Sequence, residues 1–109
     1  MKFEDLNFVE HPMAISARKM TKKDREMHGM MGDIKNAKQA LWVVSDDLSV
    51  SVLFGALFYS NGIDTYEVWV TGVGAKKLSY RFNVPMGEAT QAQVVDYIGQ
   101  VTEEYDGRS

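Results

Sequence analysis

Two runs of strict two-residue alternation, followed by a stretch at helical spacing, predict an α+β chain. The expected architecture is an antiparallel sheet of about four strands, a C-terminal amphipathic helix packed on one face, and a helical, basic N-terminal segment. In the first run Tyr66, Val68 and Val70 alternate with Glu67, Trp69 and Thr71. In the second, Leu78, Tyr80, Phe82 and Val84 alternate with Ser79, Arg81 and Asn83. Successive side chains on a strand point to opposite faces, so each run has one apolar and one polar side.

Taken in chain order, Leu6, Phe8 and Val9 have the composition of a short strand, which Pro12 ends. From Thr21 the pattern is helical. Thr21 and Asp24 stand at capping spacing, and Met27, Met30, Met31, Ile34, Ala37 and Leu41 form a stripe. Gly29 and Gly32 each cost about 1 kcal/mol against alanine, so this helix is expected to break, with Asp33 capping a second piece. Leu41 to Val44 is a short apolar run, and Ser45-Asp46-Asp47 is turn chemistry. Val50, Val52 and Phe54 then alternate with Ser51 and Leu53, which predicts a hairpin. Gly55 interrupts the strand as a bulge does, and Ser60-Asn61-Gly62 is a turn with Tyr59 at its lip.

Between the two alternating runs, Gly72-Val73-Gly74-Ala75-Lys76-Lys77 predicts the turn of a second hairpin. Keeping both apolar sets on one face restricts the register to steps of two, such as Val70 opposite Leu78 or Val68 opposite Phe82. Trp69 and Arg81 then share the outer face. After Pro85 the period changes: Val94, Ile98, Val101 and Tyr105 recur at helical spacing, and Thr90 with Gln93 has the spacing of a capping box.

The 109 residues suit one domain and one core, with 45% hydrophobic and 25% charged residues. No cysteine is present, so no disulfide, thiolate zinc site or cysteine nucleophile can form, and a reducing cytoplasm is the expected compartment. The acidic start and the lack of an apolar run near 20 residues argue against a signal peptide and a membrane span. Net charge is -3, but it is unevenly spread. The segment 18–38 holds Arg18, Lys19, Lys22, Lys23, Arg25, Lys35 and Lys38 against three acids, whereas every charge from Glu88 to Asp106 is negative.

Few chemistries find support. His11 and His28 have no further histidine or cysteine at metal-ligand spacing, so no metal is expected. Gly72-x-Gly74 lacks a third glycine and opens no helix, so it is no phosphate loop, and no cofactor is expected. Asp46 and Asp47 read as solvated turn residues rather than calcium ligands. No catalytic motif occurs, which points away from an enzyme.

Binding remains. Tryptophan and arginine are enriched at interface hot spots, so Trp69, Arg81 and Glu67, with Tyr59, form a candidate partner-binding patch. The competing reading is that the N-terminal helix covers this face and buries Trp69 in a second small core. The basic segment 18–38 is a candidate phosphate-contacting patch for nucleic acid, or simply a solvated helix face. An open sheet edge or the methionine stripe offers a third route, pairing of two copies.

Leu6-x-Phe8-x-x-His11-Pro12, Val50-Ser51-Val52, Tyr59-Ser60-Asn61-Gly62 and Thr65-Tyr66-Glu67-Val68, together with Tyr80 through Val101, resemble small uncharacterised accessory proteins of tailed bacteriophages. The resemblance covers about the first dozen residues and the chain after Leu48, and leaves out 18–38. It implies a non-enzymatic accessory role in the infected bacterial cytoplasm, binding and modulating or inhibiting a host protein. It carries no functional residue with it.

Overall fold

The structure, a computed structural model, describes residues 1–12, 15, 37–55, 60 and 63–108. The expected helices between Thr21 and Leu41 fall almost wholly outside them, and Leu41 itself is in a strand. Among the described residues five strands, β1 (Val9–Glu10), β2 (Lys38–Ser45), β3 (Leu48–Phe54), β4 (Tyr66–Thr71) and β5 (Met86–Ala89), pair antiparallel in chain order. One helix, α1 (Gln91–Arg108), follows.

The β2–β3 hairpin forms where alternation and turn chemistry predict it, with Ala40 opposite Val52 and Trp42 opposite Val50. Leu48, Val50 and Val52 point inward with Tyr66, Val68 and Val70 of β4, and Val50 faces Val70 while Val52 faces Val68. Against this face lie Val94, Tyr97, Ile98 and Val101 of α1, all buried. Each is worth about 1.5–3 kcal/mol in removed apolar surface. The predicted capping box is realised: the Thr90 N–H donates to Gln93 Oε1 at 2.8 Å and the Gln93 N–H to Thr90 Oγ1 at 3.2 Å.

The second predicted hairpin does not form. After β4 the chain makes two 3₁₀ turns, Val73–Lys77 and Tyr80–Asn83, and the strand beside β4 is β5, which places Ala89 opposite Tyr66 and Met86 opposite Val68. Neither predicted register, Val70 with Leu78 or Val68 with Phe82, occurs. Leu78 and Phe82 are buried, but Tyr80 is 81% exposed and Val84 is also exposed. The inward positions are thus four apart, Leu78 just past the first turn and Phe82 within the second, and only half of the two-residue pattern is used.

Gly72 and Gly74 accordingly close no hairpin; they dock on the β2–β3 turn. The Gly74 N–H donates to the Asp47 carbonyl at 2.9 Å, and Gly72 adopts φ 106° and ψ 164°. Nor is Asp47 merely solvated. Its Oδ1 accepts from Ser45 Oγ and from the Tyr105 hydroxyl, each at 2.7 Å, with Lys77 Nζ 4.0 Å from Oδ2. Glu104 accepts from the Ser79 N–H and hydroxyl at 3.1 and 3.2 Å, and Tyr97 donates to the Phe82 carbonyl at 3.3 Å. These bonds tie α1 to the 73–83 connection. Burial pushes the Tyr97 hydroxyl up to about 12, so it stays protonated and able to donate at neutral pH.

The Tyr105 and Ser45 hydrogen bonds, helped by Lys77, hold the Asp47 carboxyl below its ordinary 3.8. A carboxylate whose pKa falls on folding stabilises the fold above its unfolded pKa, and that contribution disappears as pH drops through the lowered folded value. Urea midpoints measured from neutral pH to below 3.8 should therefore fall for the natural chain and fall less for Asp47→Asn. Equal slopes would show that the latch carries no charge-dependent stability.

At the N-terminus only Val9 and Glu10 pair as a strand, while Leu6 enters the core. Phe3 and Phe8 stack on Tyr66 at 5.1 and 5.7 Å between ring centroids, and Phe54 lies 5.4 Å from it. At the far end of β3, Gly55 has φ 141° and donates to Ser60 Oγ, which donates to the Thr65 carbonyl at 2.6 Å. Ser60 thus closes the β3–β4 connection from a buried position.

Candidate functional site

A sheet with one face sealed by α1 leaves the opposite face to be accounted for. Alternation sends Gln39, Leu41 and Val43 of β2, Ser49, Ser51 and Leu53 of β3, and Glu67, Trp69 and Thr71 of β4 to that side. Across the strands Leu41, Ser51 and Trp69 form one row, and Gln39, Leu53 and Glu67 the next. Leu41 is 56%, Val43 69% and Trp69 43% exposed.

Trp69 and Glu67 line a groove of about 570 Å³ together with Leu41 and Leu53. Ala75 and Asn83, from the two 3₁₀ turns, form its far wall. Gln39 Nε2 donates to Ser51 Oγ at 3.1 Å across the floor. Single exposed apolar residues are ordinary, but a contiguous set around a tryptophan is a recognised feature of interaction surfaces. A second hollow, lined by Phe3, Phe8, Phe54, Tyr66, Ile63 and Lys38, measures about 200 Å³. That is below the roughly 300–1,000 Å³ of small-molecule sites.

Of the predicted patch, Trp69 and Glu67 come together and Arg81 does not. Residues 78–84 leave the sheet, so Arg81 sits on the Tyr80–Asn83 turn with its guanidinium 4.4 Å from the Phe82 ring centroid. It lines grooves with Gln100, Glu103 and Glu104 of α1 instead. Tyr59 lies outside the described residues, as do Arg18, Lys19, Lys22, Lys23, Arg25 and Lys35; Lys38 opens β2 and is exposed.

Leu41, Val43 and Leu53 were not part of the predicted patch. In the run Leu41-Trp42-Val43-Val44 both faces are apolar, so period alone does not separate core from surface. Among the described residues no three histidine, cysteine or carboxylate side chains gather as metal ligands. His11 is half-buried, and its backbone N–H donates to the Ala37 carbonyl; His28 lies outside the described residues. No helix among the described residues is long and apolar enough to cross a membrane. No family model, curated protein or solved structure matches the chain.

Proposed function

We propose that this chain is a non-enzymatic binding protein that docks a host protein on the open face of its sheet and thereby modulates or inhibits it. The observation that carries the reading is Trp69, 43% exposed in a groove with Leu41 and Leu53 while the other side of the same strands is sealed by α1. An aromatic anchor ringed by apolar and hydrogen-bonding side chains is the make-up of an interface hot spot. The bacterial host and the accessory role rest on the phage resemblance of the sequence.

Nucleic-acid binding is the weaker reading. The described residues carry twelve acids and six bases, and the basic segment meant to contact phosphates lies almost wholly outside them. Clustered acids repel a polyanion and would have to be screened before phosphates could approach.

Trp69→Ala should weaken partner binding by about 2 kcal/mol or more, roughly thirtyfold. Because the side chain is on the open face, the same change should cost less than about 1.5 kcal/mol of fold stability. The test is capture from bacterial lysate on the immobilised chain, with and without nuclease, beside a urea melt of each variant. Capture that survives nuclease and is lost with Trp69→Ala supports the reading. Capture that survives the substitution, or is removed by nuclease, overturns it.

A further inference from the structure

We infer that the free edge of β2 pairs with the β2 edge of a second copy, joining two sheets across a twofold axis. It does not rest on the docking reading, although Leu41 also lines that groove. β1 meets β2 only at Gln39 and Lys38, so Ala40 through Ser45 have no strand on their outer side among the described residues. An uncovered edge offers a row of unpaired backbone donors and acceptors, and natural sheets blunt such edges with lysine, proline, inward-pointing charges or bulges. Ala40-Leu41-Trp42-Val43-Val44 contains none of the first three. The register irregularity falls between Val43 and Ser45, at the turn, and leaves Ala40–Val43 regular. Leu41 and Val43 are among the most exposed large apolar residues of the described chain.

The sequence of this edge suits its own reverse. Keeping each side chain on its own face allows antiparallel registers that differ by two. One centres on Trp42 and sets Leu41 opposite Val43 of the other copy. The other centres on Val43 and sets Trp42 opposite Val44. About Trp42 every pair within Ala40–Val44 is apolar; about Val43 the Trp42–Val44 pairs are apolar and Leu41 falls opposite Ser45, and no like charges meet in either register. A twofold axis perpendicular to the sheet satisfies the pairing isologously and consumes both edges, so assembly stops at two. Both Trp69 side chains then stand on the same side of a continuous ten-stranded sheet, leaving the docking groove of each copy free.

A single strand pair buries less than the roughly 800 Å² per partner of a standard interface, so the dimer should be reversible, with Kd in the micromolar range. Sedimentation velocity of the full chain from about 1 to several hundred µM is the test. The expected result is a shift from one chain mass to two, and Leu41→Lys or Val43→Lys should move the midpoint at least tenfold higher while circular dichroism stays native. Because the chain has no cysteine, Leu41→Cys and Val43→Cys also report the contact. Oxidation of their mixture should give the mixed Leu41Cys–Val43Cys disulfide for the register about Trp42, or the Val43Cys pair for the register about Val43. A chain monomeric throughout, or a dimer indifferent to both lysine variants, overturns the proposal.

Discussion

Phe82→Ala is expected to cost about 3–5 kcal/mol, a large part of the stability of a domain this size. Phe82 is among the largest fully buried side chains, 2% exposed, and its ring meets Tyr97 edge-on at 5.4 Å. Truncation leaves a cavity beneath α1 and removes that aromatic contact. The same change at Tyr80, two residues earlier and 81% exposed, should move stability by less than about 0.5 kcal/mol. Urea unfolding of the pair checks both. If residues 78–84 formed the predicted strand, both changes would be costly, because both side chains would face the core.

Gly72→Ala should be comparably severe, at about 3 kcal/mol or more. Its φ of 106° and ψ of 164° lie in a region that is essentially open to glycine alone. A Cβ there would also overlap the Asp47 carbonyl oxygen, a backbone atom held by the β2–β3 turn. Gly99 is the internal contrast. It lies in the exposed part of α1 with nothing within 4 Å of an added Cβ, so Gly99→Ala should stabilise by about 0.5–1 kcal/mol through helix propensity. Opposite signs for the two substitutions in thermal melts are the expected outcome; a mild Gly72→Ala would mean the turn is free to re-form elsewhere.

Much of this architecture is legible in the residues. Val50, Val52, Tyr66, Val68 and Val70 stand at two-residue intervals because one face of their strands is sealed by α1, and the Thr90–Gln93 pair marks the start of α1 because its reciprocal hydrogen bonds depend on local spacing alone. What misled was Leu78 to Val84, where alternation happened to coincide with the four-residue interval of Leu78 and Phe82. β5 went unread because its core offers little pattern: Gly87 has no side chain, and Glu88 sits at φ 53°, a left-handed conformation rare outside glycine. Both errors displaced Arg81 from the patch. Trp69 and Glu67 keep their expected place on the outer face because it depends on β4 alone.

α1 closes one side of the sheet, and among the described residues nothing covers the other side around Trp69; the N-terminal helix expected as an alternative cover lies outside them. Only Trp42 and Trp69 absorb and emit as indoles here, so Trp42→Phe leaves Trp69 as the single reporter. The expected result is red-shifted emission, readily quenched by acrylamide, that turns blue and protected when the captured partner is added. Blue, quencher-resistant emission from the isolated chain would mean that Trp69 is already covered, and would contradict the open face on which the docking surface depends.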